Sequence, residues 1–264
     1  MYFPIKQQPS CATAWLAATK AVSAELHHEA YNVIVDVADP LAVSAVDQEI
    51  VGAVDRFLTG ARQRGNKCYP VETVANTIFP QAVYDLHGSP AFYDVYLDKI
   101  YPRVKRTSGD WGRYFERMLT FPLPKKGKAI APLRDLIDKM RTQVASERCF
   151  RNIYEMTIYD PVRDGGPVMN RQCLSFLSFK LSEQNPRQLH LTALYRNHYY
   201  TARLLGNLIG LGRLMRFVAQ EVGIVVGQLT VVSTHAEVDA VDGRDNIDTL
   251  LQQCQAILLA KEAA

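Results

Sequence analysis

The sequence predicts an α+β fold in which helices pack on a mixed sheet in a single domain. A β-branched run at residues 32–37 is typical of a strand and ends at Asp39-Pro40. The segment 201–222 is apolar on nearly every face, which indicates a helix buried in the core. The second half is rich in strand patterns separated by Asp, Asn, Gly and Pro, at residues 151–159, 172–180, 189–195 and 225–233. Together these patterns favour helices stacked on one sheet.

The remaining segments are mostly predicted helices. Residues 10–29 form the first, with Ser10 as its N-cap, and residues 47–63 carry apolar side chains at helical spacing. Residues 71–79 are predicted to be a strand or extended chain that Pro80 stops. Further helices are predicted at 81–86, 91–101, 132–144 and 245–261, with an aromatic-rich element at 111–118 and a basic loop at 122–128.

Composition and charge exclude several classes of function. The chain has 264 residues, and its net charge of +3 is too small to favour a nucleic acid polymer as partner. The five cysteines lack CxxC spacing and the histidines are scattered, so neither a disulfide framework nor a metal site is expected. No apolar run is long enough to cross a bilayer and no secretory signal is recognised. We expect a cytoplasmic protein without membrane contacts.

Cys173 is the first candidate for chemistry. Strand alternation places Cys173 on one face with Ser175, Leu177 and Phe179, and Gln172, Leu174, Phe176 and Ser178 on the other. On spacing alone Cys173 is a small buried apolar residue. However, Arg171 precedes it, and Arg196 and His198 lie on the next predicted strand. Because nearby cations stabilise a thiolate and lower its pKa, Cys173 is also a candidate nucleophile.

Several motifs follow one another in a recognisable order. They are Cys173-Leu-Ser-Phe-Leu-Ser-Phe-Lys-Leu181, Leu194-Tyr195-Arg196-Asn197-His198, Gly206-Asn207-Leu208-Ile209 and Val232-Ser233-Thr234-His235. Upstream stand Trp111-Gly112-Arg113-Tyr114 and Ser146-Glu147-Arg148. In their order, these motifs resemble the thymidylate synthase and pyrimidine-nucleotide hydroxymethylase superfamily. The resemblance covers residues 70–255 of a domain spanning 1–264, and residues 1–69 form a divergent helix–strand–helix part.

The resemblance implies a role for each matching residue. Cys173 would add to C6 of a pyrimidine nucleotide, so that C5 becomes nucleophilic toward a one-carbon donor. Tyr114 and Trp111 match a motif of the same site, and Asn197 belongs to the polar cluster on its strand. Asn207 would read the O4/N3 edge of the base, and His235 would hold the sugar hydroxyl. Arg148 (reaching across a homodimer), Arg171 and Arg196 with His198 would bind the phosphate.

Each of these residues also has an ordinary structural interpretation. The arginines could be surface or ion-pair residues, and Asn207 could cap or pack within its helix. Gln81 stands where the family has a catalytic glutamate, and a glutamine cannot shuttle a proton. The resemblance implies 5,10-methylenetetrahydrofolate as donor. In the family, further segments close over folate after the last matching helix, whereas this sequence ends at Ala264, so hydroxymethyl transfer or exchange at C5 is the simpler expectation.

Three functions are therefore compared. The first is C5 modification of a pyrimidine nucleotide by a homodimeric one-carbon transferase. The alternative is a catalytically reduced nucleotide-binding or interaction module on the same fold, in which Cys173 is inert. A cysteine hydrolase built on Cys173 with His198 or His235 ranks lowest, because the sequence lacks a Cys-Gly-type elbow after the thiol.

Overall fold

The computed structural model describes residues 2–104, 113–121, 130–146, 150–166, 171–183 and 185–262. The strands in these ranges are β1 (Phe3–Gln8), β2 (Glu29–Val37), β3 (Glu155–Thr157), β4 (Leu174–Leu181), β5 (Gln188–Tyr195), β6 (His198–Tyr199) and β7 (Val225–Glu237). The helices are α1 (Cys11–Ser23), α2 (Ala45–Gln63), α3 (Val71–Ile78), α4 (Gln81–His87), α5 (Ala91–Val95), α6 (Tyr101–Val104), α7 (Tyr114–Leu119), α8 (Pro132–Ala145), α9 (Pro161–Asp164), α10 (Leu205–Val222) and α11 (Arg244–Glu262). π-helical turns at Tyr96–Ile100 and Tyr200–Leu204 lead into α6 and α10.

The described strands form one mixed sheet. Its order is β1-β2-β7-β5-β4-β3, and β6 pairs with β7. The pairs β1–β2, β5–β7 and β6–β7 are parallel, whereas β2–β7, β4–β5 and β3–β4 are antiparallel. Strands from both ends of the chain meet at β2 and β7, so the chain folds as a single α+β domain and the predicted fold class is confirmed.

One long helix organises the core. Helix α10 contacts β5 and β7 on one side and α3 on the other. The packing against α3 is close because a Cβ on Gly206 would lie 2.5 Å from Cβ of Val74, and one on Gly210 would lie 2.7 Å from the carbonyl oxygen of Ala75. Two glycines one turn apart therefore let α3 lie directly on α10. In the described ranges, no helix combines the length and apolar character needed to cross a membrane.

Local sequence signals explain where the first helices begin. Ser10 caps α1 as predicted, since its Oγ accepts from the amide of Thr13 while Thr13 Oγ1 accepts from the amide of Ser10 at 3.2 Å. Ser44 and Asp47 form the same reciprocal arrangement at the start of α2. Such capping boxes satisfy amides that have no partner within the helix.

The structure corrects several sequence predictions. Residues 71–79 are not a strand, because Val71, Val74, Ala75 and Ile78 are buried at helical spacing in α3. The helix predicted at 10–29 ends at Ser23, and β2 begins at Glu29. Strands β1 and β6 were not predicted, and β3 is much shorter than predicted. The basic loop at 122–128 lies outside the described residues, apart from a bridge between Phe121 and Ile130 that brackets it.

The alternation predicted around Cys173 is also wrong at its start. The pairing of β4 with β5 shifts register between Leu174 and Phe176. A bulge of this kind places one extra residue opposite its partner strand and changes which face follows. As a result, Leu174 and Leu177 are both fully buried, whereas Cys173 is only half-buried.

Candidate functional site

A cavity of about 660 Å³ lies between the helical layer and the ends of the central strands. On the helical side its wall comes from α3, α4, α6, the π-helical turn at Tyr96–Ile100 and the start of α7. The rest comes from the residues before β4, from β6 and the residue before it, and from the π-helical turn and first turn of α10. Five residues that the sequence analysis singled out line it: Tyr114, Cys173, Asn197, His198 and Asn207. These residues come from four separate parts of the chain, and the topology of the sheet brings them together.

Cys173 is held at the cavity wall by Tyr114. The hydroxyl oxygen of Tyr114 accepts from the backbone amides of Cys173 at 3.3 Å and of Leu174 at 3.4 Å. Burial raises the pKa of the Cys173 thiol, and the opposing effect of Arg196 and Arg203 is smaller. Burial likewise raises the pKa of Tyr114, so its hydroxyl stays protonated. Arg196 thus acts to lower the thiol pKa as expected, but burial outweighs it and the net shift of the pKa is upward.

Asn207 and His198 form a buried polar pair beside Cys173. The side-chain amide Nδ2 of Asn207 lies 2.8 Å from His198 Nε2, and His198 Nδ1 lies 3.1 Å from Ser233 Oγ. Because the amide nitrogen can only donate, Nε2 accepts and Nδ1 carries the proton. The His198 ring stacks on Tyr195 at 3.9 Å, and burial lowers its pKa to about 3. His198 is thus a neutral imidazole at physiological pH.

His235 reaches the cavity only through another residue. Its Nδ1 is hydrogen-bonded to Oδ1 of Asn197, and its Nε2 lies 3.2 Å from Glu29 Oε2. Asn197 lines the cavity, whereas His235 does not. The structure therefore places His235 behind Asn197, where it can orient the amide, and its predicted contact with a sugar hydroxyl stays a prediction.

The cavity also contains two arginines that the sequence analysis did not select. Arg203 lies in the π-helical turn before α10, and Arg113 precedes α7; both are half-buried in the wall. Among the described lining residues there is no aspartate or glutamate. The usable signal was spacing, because Arg203 and Asn207 lie four residues apart and share one face of a helix.

The turn that carries Arg203 is fixed by three hydrogen bonds, which two side chains make. Oδ1 of Asp239 accepts from the backbone amides of Thr201 at 2.9 Å and Ala202 at 3.2 Å. Nε1 of the buried Trp15 donates to the carbonyl oxygen of Tyr200 at 2.9 Å. Burial raises the pKa of Asp239 to about 6, although both amides act in the opposite direction.

Other predicted residues lie outside the cavity wall. Arg196 donates from Nε to the carbonyl of Gln172 at 3.0 Å and from Nη2 to that of Arg171 at 3.2 Å. Arg171 in turn donates to the carbonyl of Asp164 at 3.4 Å. Gln81 donates to Asp85 at 2.6 Å on α4. Trp111 and Arg148 lie outside the described residues, so their predicted roles stay predictions.

No trio of His, Cys, Asp or Glu side chains within the described part of the chain is placed to hold a metal ion.

Known proteins resemble this chain over part of its length. It is 36% identical over 131 residues to a protein of Methanosarcina acetivorans, covering 50% of this chain and 56% of that protein. It is 33% identical over 104 residues to one of Methanosarcina barkeri (39% and 46%) and 36% identical over 66 residues to one of Methanosarcina mazei (25% and 29%). Each is named "Putative thymidylate synthase".

The chain spans about half, or less, of the length of these relatives. No model of a known protein family matches it. The similarity supports a thymidylate synthase-like relationship over part of the chain, and the mixed sheet covered by helices agrees with that fold.

Proposed function

We propose that this protein modifies C5 of a pyrimidine nucleotide through addition of Cys173 to C6 of the base. One observation carries the proposal: the Cys173 thiol and the Asn207 amide line the same cavity of about 660 Å³. A nucleophile and a group that can read the edge of a base are thus present in one cavity. The similarity to the methanogen proteins supports the same reaction class.

The proposed reaction begins when the Cys173 thiol gives its proton to solvent water. The sulfur forms a bond to C6, and the C5–C6 π electrons move onto C5 and O4. C5 then bonds to an electrophilic one-carbon unit, solvent water takes the proton of C5, and the C6–S bond breaks as the C5–C6 double bond re-forms, which leaves the sulfur as a thiolate. The neutral hydroxyl of Tyr114, which accepts two backbone amides beside Cys173, keeps its proton available to donate to the ligand.

Asn207 is proposed to select the edge of the base. Its Nδ2 already donates to His198, so the amide oxygen is the atom best placed to accept from a ligand. An oxygen acceptor favours a base that presents N–H there, such as the N3–H of uracil. Selection by a buried polar group is strong, because an unmatched partner leaves that group without a hydrogen bond.

A folate donor is the cofactor that the relationship favours. The cavity wall also includes Val83, Tyr96 and Ile100, an apolar surface that suits the flat face of a pterin. When bound, 5,10-methylenetetrahydrofolate supplies a one-carbon unit to C5. Val83, Tyr96 and Ile100 would form the surface that holds its ring, and a ring held there would limit the access of water to the thiol.

We also infer a homodimer. Ile34, Val232, Leu194 and Phe176 are paired directly across four strands and form an apolar row on the sheet face away from the buried core. All four are half-buried, whereas their neighbours Val33, Val231, Ala193 and Leu177 are fully buried under the helices. In a two-fold symmetric dimer the same surface of both copies meets, so a second copy could bury this apolar row against its own. Light scattering that gives a monomer mass at micromolar concentration would refute the dimer.

Trapping of the C6 adduct tests the chemistry. Incubation with 5-fluoro-dUMP or 5-fluoro-CMP is expected to add the mass of one nucleotide to the intact protein. The Cys173→Ala variant should lose this adduct, and Cys254→Ala, which removes a buried cysteine of α11, should retain it. Exchange of the C5 proton for deuterium, followed by NMR, tests C6 addition without any donor. Absence of both adduct and exchange would rule out the enzymatic proposal.

A nucleotide-binding module is the second candidate function. The raised pKa of Cys173 favours it, because burial disfavours the thiolate, which is the nucleophilic form of the side chain. In this case, pyrimidine nucleotides raise the melting temperature of wild-type protein and Cys173→Ala equally, and no adduct forms. The adduct assay and the thermal shift together separate the two functions.

A further inference from the structure

We propose that Arg203, assisted by Arg113, binds the anionic group of the ligand, a phosphate or chemically similar oxyanion. The proposal rests on the function above only in taking that anion to be part of a nucleotide. It assigns the phosphate to residues other than Arg171 and Arg196, which the sequence resemblance indicated.

Arg203 is a cation without a counterion in the described part of the chain. Its guanidinium lies 5.2 Å from the centre of the Tyr69 ring. Among the described residues, no carboxylate or other acceptor is bonded to it. A half-buried guanidinium has five N–H donors and loses hydration in the cavity, so an oxyanion is the partner that would satisfy it.

Arg113 supplies a second cation to the same wall. Its Nη2 donates to the carbonyl of Val104, while its Nε is buried without a partner in the described residues. No described carboxylate lines the cavity to neutralise either arginine. Two positive groups in a cavity whose described lining carries no negative charge concentrate anions there.

Arg196 and Arg171, which the sequence resemblance indicated, already donate hydrogen bonds to backbone carbonyls. Arg196 donates to the carbonyls of Gln172 and Arg171, which holds the segment before β4 against the end of β5. Arg171 donates to the carbonyl of Asp164, and neither arginine lines the cavity. To reach a phosphate, Arg196 would have to give up two hydrogen bonds that hold the chain beside Cys173.

Arg203 is also placed to act on a ligand that Asn207 reads. The two residues lie four positions apart, about one helical turn, and the longer side chain comes from the N-terminal position. Arg203 lies close enough to Cys173 to stabilise its thiolate. Anion, base edge and sulfur thus meet in one cavity.

A test that needs no nucleotide compares two alkylating reagents at Cys173. Iodoacetate is anionic and iodoacetamide is neutral, so the ratio of their rates at Cys173 measures attraction of an anion and cancels changes in thiol pKa. Peptide mass mapping gives the rate at this residue. In Arg203→Gln we expect the ratio to fall by about 3- to 10-fold, whereas Arg203→Lys should retain most of it, since the attraction depends on charge.

Arg62→Gln is the matched control. Arg62 also lies over Tyr69, at 4.8 Å, but it is exposed and outside the cavity wall. The same loss of charge there should leave the ratio unchanged. An equal fall in both variants would show a general charge effect and would overturn the proposal, as would no change in Arg203→Gln. If Arg203→Gln does not fold, the same rate ratio is measured in Arg113→Gln. A fall in the ratio then supports the proposal, and an unchanged ratio overturns it.

Competition separates this proposal from the proposed function. Inorganic phosphate should slow iodoacetate modification of the wild-type protein, and no slowing would contradict the anion site. If phosphate protects Cys173 but pyrimidine nucleotides do not, the anion site stands and the nucleotide function fails. If UMP and uridine protect Cys173 equally well, the base site stands and the role of Arg203 fails.

Discussion

Asn207 donates from Nδ2 to Nε2 of His198 across 2.8 Å, and this contact fixes which imidazole nitrogen carries the proton. His198 Nδ1–H then donates to Ser233 Oγ, which also accepts from the Tyr200 hydroxyl at 3.3 Å. The pair leaves the imidazole neutral and the amide of Asn207 in one orientation. Stability against pH is the most direct way to observe this arrangement.

Stability should fall as the pH is lowered because of His198. Its pKa drops from 6.5 to about 3 on folding, so below pH 6.5 the unfolded chain takes up a proton that the folded chain refuses. The free energy of unfolding then decreases by up to about 1.4 kcal/mol per pH unit down to pH 3. His198→Gln, which has no charge, should lack this slope. Urea unfolding of both proteins at pH 5 and 7 measures it, and equal slopes would contradict the buried neutral imidazole.

Asp239 should give the opposite trend. Its folded pKa is raised from 3.8 to about 6, so the folded state loses stability as the pH rises from 3.8 through 6. Asp239→Asn keeps the Oδ1 that accepts from Thr201 and Ala202, and it has no charge to bury. The variant should gain stability relative to wild type between pH 4 and 7.

Asp242 provides the contrast for this prediction. Arg64 holds the pKa of Asp242 below its usual range, so Asp242→Asn should lose stability relative to wild type over the same pH range. Chemical denaturation at several pH values checks both variants. A loss of stability in Asp239→Asn, in the direction expected for Asp242→Asn, would show that the raised pKa of Asp239 is not a property of the folded protein.

A methyl group at Gly210 should separate α3 from α10. The new Cβ would lie 2.7 Å from the carbonyl oxygen of Ala75 and 3.0 Å from Cβ of Ile78, so backbone must move. Overpacking of this kind costs about 1–3 kcal/mol, and α3 also forms one wall of the cavity. Gly210→Ala is therefore expected to lower both the melting temperature and nucleotide affinity.

The control is Gly52→Ala, which we expect to raise stability where Gly210→Ala lowers it. It lies within α2, and an added Cβ would meet only the flexible Arg56 guanidinium, at 3.3 Å. Alanine is favoured over glycine in a helix by about 0.5–1 kcal/mol. Thermal unfolding of both variants compares them, and a stabilising Gly210→Ala would contradict the close contact.

The buried ion pair between Arg117 and Asp164 should matter for stability far more than surface pairs do. Both side chains are essentially inaccessible, and two hydrogen bonds of 2.5 and 2.9 Å join them. Arg117→Met leaves a buried carboxylate unpaired, which costs about 3–5 kcal/mol. Arg213→Met breaks the pair with the exposed Glu72 and should cost less than about 1 kcal/mol.

A double variant shows what the loss means. Replacing Asp164 as well, in Arg117→Met with Asp164→Leu, should recover much of the stability, because no unpaired charge remains buried. Equilibrium unfolding in guanidinium chloride gives the three values. Equal costs for Arg117→Met and Arg213→Met would show that Arg117 is not desolvated.

The fold was largely predictable because most core elements carry clear patterns. Ser10, the β-branched run in β2 and the apolar stretch of α10 each determine local structure by themselves. The segment 71–79 was wrongly predicted to be a strand because its β-branched residues favour extended chain. Its helix is buried against glycines of α10, more than 130 residues away, which the local sequence does not show. Strand β6 has only two residues, too few for a pattern.

The candidate site was predictable only in part. Cys173, Asn197, His198 and Asn207 lie at strand ends or a helix start that the topology brings together, and their functional roles stay predictions. Arg203 was missed because the apolar pattern of residues 201–222 predicts a core helix, and one arginine near its start does not indicate a binding site. The state of the Cys173 thiol depends on burial by distant elements and on a bulge in β4, and neither is encoded in the residues next to it.

The hydrogen bond from Trp15 to the carbonyl of Tyr200 links α1, near the start of the sequence, to the turn that carries the arginine proposed to bind the anion. Anyone who transplants this cavity into another scaffold would therefore have to carry over α1, although α1 contributes no side chain to the wall. Because the acceptor is a backbone carbonyl, the contact depends on the indole at position 15 and on the path of the backbone at 200, and not on which side chain stands at 200.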